Sequence, residues 1–186
     1  LMSALPGFTV ITPADATEVE AAVRAMVSLA GPCYLRLYRS PTPVVHNGEC
    51  RFILGKAEAM RQGNAASIIA CGSMVSTALA AADKLASEGV NCLVLNMHTL
   101  KPLDEDAIVR AALETGAIVT AEEHYIYGGL GSLVSQVVGR ECPVPMEMVA
   151  LRGYAESGKP EPLLEKYGLT AADVEKAVRR VLKRKG

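Results

Sequence analysis

The chain has 186 residues, a net charge of −1 and hydrophobic side chains at half of its positions. That is enough apolar matter to bury a sizeable core, too much for a disordered chain, and too little positive charge for general nucleic-acid binding through phosphates. Five scattered cysteines (Cys33, Cys50, Cys71, Cys92, Cys142) and three well-separated histidines form neither a disulfide framework nor a metal-ligand pattern.

In chain order, "FTVIT" (8–12) predicts a buried strand that Pro13 ends. Thr12 followed by Asp15 resembles a capping box, and Val19, Ala22, Val23, Met26 and Val27 recur at helical spacing, which predicts a helix over 15–29. Gly31-Pro32 stops it. "CYLRLY" (33–38) is a second expected strand, with Arg36 on the face opposite Leu35 and Leu37 and with Arg39 at its carboxyl end. "RSPTPVVHNGE" then has linker chemistry. Two strands and one helix cannot cover both faces of a sheet, so this first segment is incomplete. We expect its missing half elsewhere, in preference to a seat on the core of the following segment.

From residue 66 onward strands and helices alternate. Strands are expected at 66–71, 91–96, 117–122 and 146–151, and helices at 74–88, 104–115, 130–139, 161–167 and 171–184. Asp104 and Thr170 are N-cap residues by position, and Gly89 and Gly116 stand where left-handed C′ residues belong. Cations closing the last helix (Arg179, Arg180, Lys183, Arg184, Lys185) complement its dipole, so we read them as a solvated helix end. The charge-free stretch 65–82 is broken by Cys71-Gly72-Ser73 and reads as strand, turn, helix, not as a membrane span. With no leader in "LMSALPGFTVITP", the expectation is a soluble, cytoplasmic protein. The alternation predicts right-handed crossovers and a mostly parallel α/β sheet, whose ligand sites lie outside the carboxyl ends of the strands.

Three stretches carry candidate chemistry. Arg36 and Arg39 could present a guanidinium fork to a phosphate or carboxylate. "CGSMVS" (71–76) could offer backbone N–H groups to an anion, although a tight crossover needs the same small residues, and Ser73 could equally be the helix N-cap. "EEHYIYGGLGS" (122–132) combines two carboxylates, His124 and three glycines, but lacks the full G-x-G-x-x-G spacing of a dinucleotide site. Glu122 and Glu123 should face opposite ways, and at least one of them is structural.

Several blocks, in order, resemble one family. "ALPGFTVITPADATEVEAAVRA…GPCYLRLYRSPTP" is similar to the end of the pyrimidine-binding domain of transketolases. "IIACGSMVSTALAAADKLASEGVNCLVLNMHTLKPLDEDAI" and "GAIVTAEEHYIYGGLGSLVSQVV" resemble the carboxyl-terminal domain of the same superfamily, and within it the second subunit of split transketolases. The resemblance implies a domain division at 1–47 and 48–186. It implies a three-layer α/β/α sandwich for the second part, with a mixed, mainly parallel sheet whose first strand runs antiparallel.

It also implies a thiamine diphosphate- and Mg2+-dependent ketol transfer between sugar phosphates. The activating glutamate would lie upstream of Leu1 and the diphosphate site on a separate amino-terminal subunit or domain, so that this fragment binds neither cofactor nor metal and is inactive alone. Arg39, and less directly Arg36, match arginines at the substrate phosphate, and His124 belongs to a subunit interface or to the mouth of a completed site. The implied assembly is a homodimer or an α2β2 complex, with no nucleic acid and no membrane. Two competing readings are a β-subunit-like interaction domain of a 2-oxo-acid dehydrogenase and the end of a 1-deoxyxylulose-5-phosphate synthase. Tyr38 departs from the proline of the synthase pattern. A free-standing anion- or nucleotide-binding domain is the third.

Overall fold

The computed structural model describes residues 1–48 and 50–185. Its larger sheet contains β3 (Glu58–Arg61), β4 (Ser67–Ala70), β5 (Leu93–Asn96), β7 (Ile118–Tyr125) and β8 (Met146–Leu151), in the spatial order β3-β5-β4-β7-β8. All neighbours are parallel except β3, which runs antiparallel to β5. Every residue of β4 and β5 is buried, as uninterrupted apolar runs in a sheet covered on both faces should be.

Two helical layers cover the sheet. On one face, α2 (Met74–Ser87) and α6 (Ala171–Arg184) pack through Val75, Ala78, Leu85, Val174 and Val178. On the other, α3 (Glu105–Thr115) and α4 (Leu130–Glu141) pack through Ile108, Ala111, Leu130 and Val134. The result is the expected three-layer α/β/α sandwich. Local chemistry sets the helix ends where the sequence places them. Asp104 accepts from Ala107 N–H at 3.2 Å, Thr170 and Asp173 form a capping box, and Gly116 closes α3 with φ 60°. A shorter helix, α5 (Pro160–Lys166), carries Pro at its start.

The first segment contributes β1 (Thr9–Ile11), α1 (Ala16–Val27) and β2 (Cys33–Leu35). β1 pairs with β2 in parallel and, on its other edge, antiparallel with β6 (Thr99–Lys101), a strand of the second segment. The first segment is thus joined to the second through a shared three-stranded sheet. Val10 and Ile11 are buried there, while Val23 and Val27 of α1 stay 45 % and 83 % exposed.

Other expectations are corrected. The helix starts from Asp15, whose own carboxylate caps Glu18 N–H at 2.9 Å, so Thr12 is not its cap. The strand expected over 33–38 ends at Leu35, and Arg36 N–H makes one last bond to the Ile11 carbonyl before the chain turns away. β3 and β6 carried no apolar period. β3 is a charged edge strand, as exposed edges often are, and β6 is three residues long.

Candidate functional site

The carboxyl ends of β1, β2, β4 and β7 converge. Gly72 N–H donates to the Thr12 carbonyl at 3.1 Å, and Cys71 N–H to the Ala121 carbonyl at 3.3 Å. Gly72 sits at φ 58°, and a Cβ there would lie 2.9 Å from both the Thr12 methyl and the Tyr38 ring, so the first segment can approach this closely only at a glycine. Two clefts open at the junction.

One cleft, of about 240 Å³, is lined by Thr12, Tyr34, Arg36, Cys71, Glu122 and His124 among others. Arg36 and His124, 88 positions apart, are therefore neighbours here. Arg36 donates through Nη2 to the Glu123 carbonyl at 2.8 Å and lies over the Tyr38 ring, 5.6 Å from its centre. His124 Nδ1 lies 3.2 Å from the Tyr125 carbonyl. A carbonyl can only accept, so Nδ1 carries the proton and Nε2 is left as the acceptor. Burial and then the Arg36 charge lower the pKa of this imidazole, holding it neutral.

The second cleft, of about 290 Å³, is lined by Tyr38, Arg39, Ser73, Glu123 and apolar residues of the 151–169 region. Arg39 is exposed and forms no ion pair among the described residues. Ser73 begins α2 without a side-chain cap and instead donates to Glu123 at 3.3 Å. Arg36 is thus tied into the fold, whereas Arg39 presents an unspent fork of donors.

The glycine run 128–131 already has an anion. Glu122, 1 % exposed, reaches to the amino terminus of α4 and accepts from Leu130 N–H at 2.7 Å and Gly131 N–H at 2.8 Å. Burial raises its pKa and these two bonds oppose the rise. Glu123, on the opposite face, points to the second cleft.

A further cluster escaped the sequence reading. Asp15 Oδ2 accepts from the backbone of Val45 and His46 and lies 3.0 Å from His46 Nδ1. His46 Nε2 lies 3.0 Å from Glu58 and 4.0 Å from Glu18. Glu18 is held in turn by Ala14 N–H at 2.6 Å and Asn96 Nδ2 at 2.8 Å. Burial raises the Glu18 pKa. His46 is also raised, because the hydrogen bond to Asp15 and the Glu18 and Glu58 carboxylates outweigh the opposing effect of burial. Only the turn of the linker back over β3 brings these groups together, so no sequence spacing could have found them.

The fold and its clefts define a three-layer α/β/α domain whose candidate sites lie at the carboxyl ends of its strands. The profile of "Transketolase, C-terminal domain" matches residues 55–174. The chain is 42 % identical over all its 186 residues to the 6-deoxy-6-sulfo-D-fructose transketolase subunit SqwH of Clostridium sp. (strain MSTE9), covering 58 % of that protein. It is 33 % identical to a subunit of the apulose-4-phosphate transketolase of Phocaeicola vulgatus, over 99 % of this chain and 59 % of that one. A solved split-gene transketolase, described as an inactive β4 tetramer, superposes with a TM-score of 0.97 at 42 % identity, over 100 % of this chain and 61 % of that one. The transketolase of Leishmania mexicana follows the same fold with a TM-score of 0.80 at 25 % identity, over 98 % of this chain and 26 % of that one. The chain belongs to the transketolase carboxyl-terminal domain family. It spans somewhat under two thirds of the two curated subunits it matches.

Proposed function

We propose that this chain is the carboxyl-terminal portion of the second subunit of a two-subunit transketolase, which passes a two-carbon ketol unit between anionic sugars in the cytoplasm. The observation that carries this reading is the match over the whole chain to a subunit of that kind. Both curated relatives are named for sugars bearing an anion, a sulfo group in one and a phosphate in the other. Arg39 suits either, because a planar guanidinium can pair two of its donors with two oxygens of such a group. Arg36 and His124 both line the first cleft.

The residues of this chain do not fit thiamine diphosphate. The amino terminus of α4 is filled by Glu122, and the Gly72 amide is taken by Thr12. In this reading the cofactor and its Mg2+ are held by the amino-terminal subunit and by chain outside these 186 residues. The bare apolar side of α1, with Val23 and Val27, supports further protein packing on it. That the β4 tetramer is described as inactive supports the dependence on a partner. The relatives are transketolase subunits, which favours neither the dehydrogenase nor the synthase alternative.

Co-expression with the amino-terminal subunit tests the proposal. The complex, with thiamine diphosphate and Mg2+, should transfer ketol units from a phosphorylated or sulfonated ketose, while the 186 residues alone should not. Arg39→Ala should raise KM for the anionic sugar at least about 10-fold, the loss of one charged hydrogen-bonded contact, with kcat much less affected. Turnover by the isolated chain would sink the proposal, and an unchanged KM would remove Arg39 from it.

A further inference from the structure

We propose that Glu18, His46, Cys50 and Glu58 form a metal site for a divalent transition ion of the zinc class, at the junction of α1, the linker and β3. One ligand atom from each residue lies within 4.8 Å of every other. A tetrahedral zinc site with bonds of 2.0–2.3 Å needs ligand atoms about 3.4 Å apart, and the separations from His46 Nε2 to Glu58 and Glu18, 3.0 and 4.0 Å, bracket that value. Closing the set requires side-chain shifts of about an ångström. Imidazole, thiolate and carboxylate together suit zinc or cobalt better than magnesium or calcium, which prefer oxygen donors alone.

Three further observations point the same way. Asp15, fully buried, holds His46 by Nδ1, which leaves Nε2 directed at the two glutamates. A carboxylate behind the far nitrogen is the usual support of a metal-bound histidine, fixing its tautomer and its ring. Asp15, Glu18 and Glu58 are three carboxylates served by one imidazole, and no lysine or arginine pairs with any of them among the described residues. Two of the three, Asp15 and Glu18, are buried, and buried negative charge calls for a cation. Asn96, 0 % exposed, donates its amide N–H to Glu18, while its Oδ1 has no partner among the described residues. Glu58 is 35 % exposed and gives solvent a path to the cluster. When an ion binds, it displaces the Nε2 proton of the imidazolium and the Sγ proton of the Cys50 thiol, and the ion's two positive charges replace theirs.

The site lies apart from both strand-end clefts, so its role is to fasten the linker onto α1 and the edge of the large sheet. Its fate is independent of the catalytic reading, because the test measures metal and not turnover. Full-length protein, stripped with chelator under reducing conditions, is titrated calorimetrically with Zn2+ and spectroscopically with Co2+. We expect one ion per chain, a thiolate-to-cobalt charge-transfer band, and a rise in thermal midpoint with Zn2+. Glu58→Gln and Cys50→Ser lie at partly exposed positions where the fold should persist. Each should weaken binding at least about 10-fold, and Cys50→Ser should abolish the charge-transfer band. No saturable binding by the wild-type protein, or equal binding by both variants, overturns the proposal.

Discussion

The Glu122 carboxylate occupies the space where a side chain on Gly129 would have to go. A Cβ built on Gly129 would lie 2.7 Å from the Glu122 Cδ and 2.8 Å from the Tyr125 carbonyl oxygen. Gly129 itself has φ −90°, open to any residue, so it is the Glu122 carboxylate and the Tyr125 carbonyl, not the dihedral of Gly129, that demand glycine. Gly129→Ala should therefore cost about 1–3 kcal/mol, the range for overpacking a filled site. Gly128→Ala, at φ 75° with nothing within 4 Å, should cost only the left-handed penalty of about 1 kcal/mol. Urea denaturation of the two variants should rank them in that order.

Glu122→Ala should leave the Leu130 and Gly131 N–H groups buried without an acceptor, at a cost of about 1–3 kcal/mol. The folded pKa of Glu122 is raised, so the native state holds this proton more tightly than the unfolded chain does. Stability associated with it is present below the unfolded pKa and lost as pH rises through the folded one. Glu122→Gln should remove that component, seen as a flatter stability profile above about pH 4.5.

Asp104 joins two elements, capping α3 through Ala107 N–H while accepting from Ala57 N–H at 3.0 Å and from Lys56 at 3.3 Å. Asp104→Ala should lose about 2 kcal/mol or more, above the usual value for a cap alone. Asp104→Asn keeps a capping oxygen and should recover at least half of that loss. A wild-type denaturation midpoint for Asp104→Ala would show that the cap contributes nothing.

His98 is buried, stacked 4.2 Å from Phe52 and 2.8 Å from the Thr99 hydroxyl. Burial, and then the nearby His46 charge, lower its pKa from 6.5 to about 4. The neutral ring's contribution is whole above the unfolded value and is lost as pH falls from 6.5 through 4, up to about 3 kcal/mol. In chelator, His98→Gln should change the slope in that window by up to that amount, leaving the contributions of His124 and Glu122 in place.

Arg36 and Arg39 should separate cleanly. Arg36→Ala removes the bond to the Glu123 carbonyl and should cost about 1.5–3 kcal/mol of stability. Arg39→Ala, at an exposed position, should stay within about 0.5 kcal/mol of wild type. Chemical denaturation decides this without any assay of turnover.

Much of the fold was legible because it rests on local rules. Apolar runs in β4, β5 and β8, the helical period of α2 and α6, and the caps at Asp104, Thr170 and Gly116 each act within a few residues. β3 and β6 were not legible, since their pairing is made by partners 33 or more residues away in β5 and 88 or more away in β1, and their own residues carry no period.

The candidate sites divide in the same way. The small residues of "EEHYIYGGLGS" showed a strand-to-helix crossover, but only the packed structure decided that Glu122 takes the N–H groups a phosphate would need. Arg36 and Arg39 were equivalent as letters, and the early end of β2 at Leu35 made one a structural tie and left the other without an ion pair among the described residues. The Glu18, His46, Cys50 and Glu58 cluster has no trace in spacing at all. What the sequence by itself determined was the order of the apolar strands and the long helices, the caps of α3 and α6, and the family, because periodicity, capping and motif order are local. Tertiary structure decided which charges meet and which remain unspent, because burial and charge pairing depend on neighbours that only the folded chain supplies.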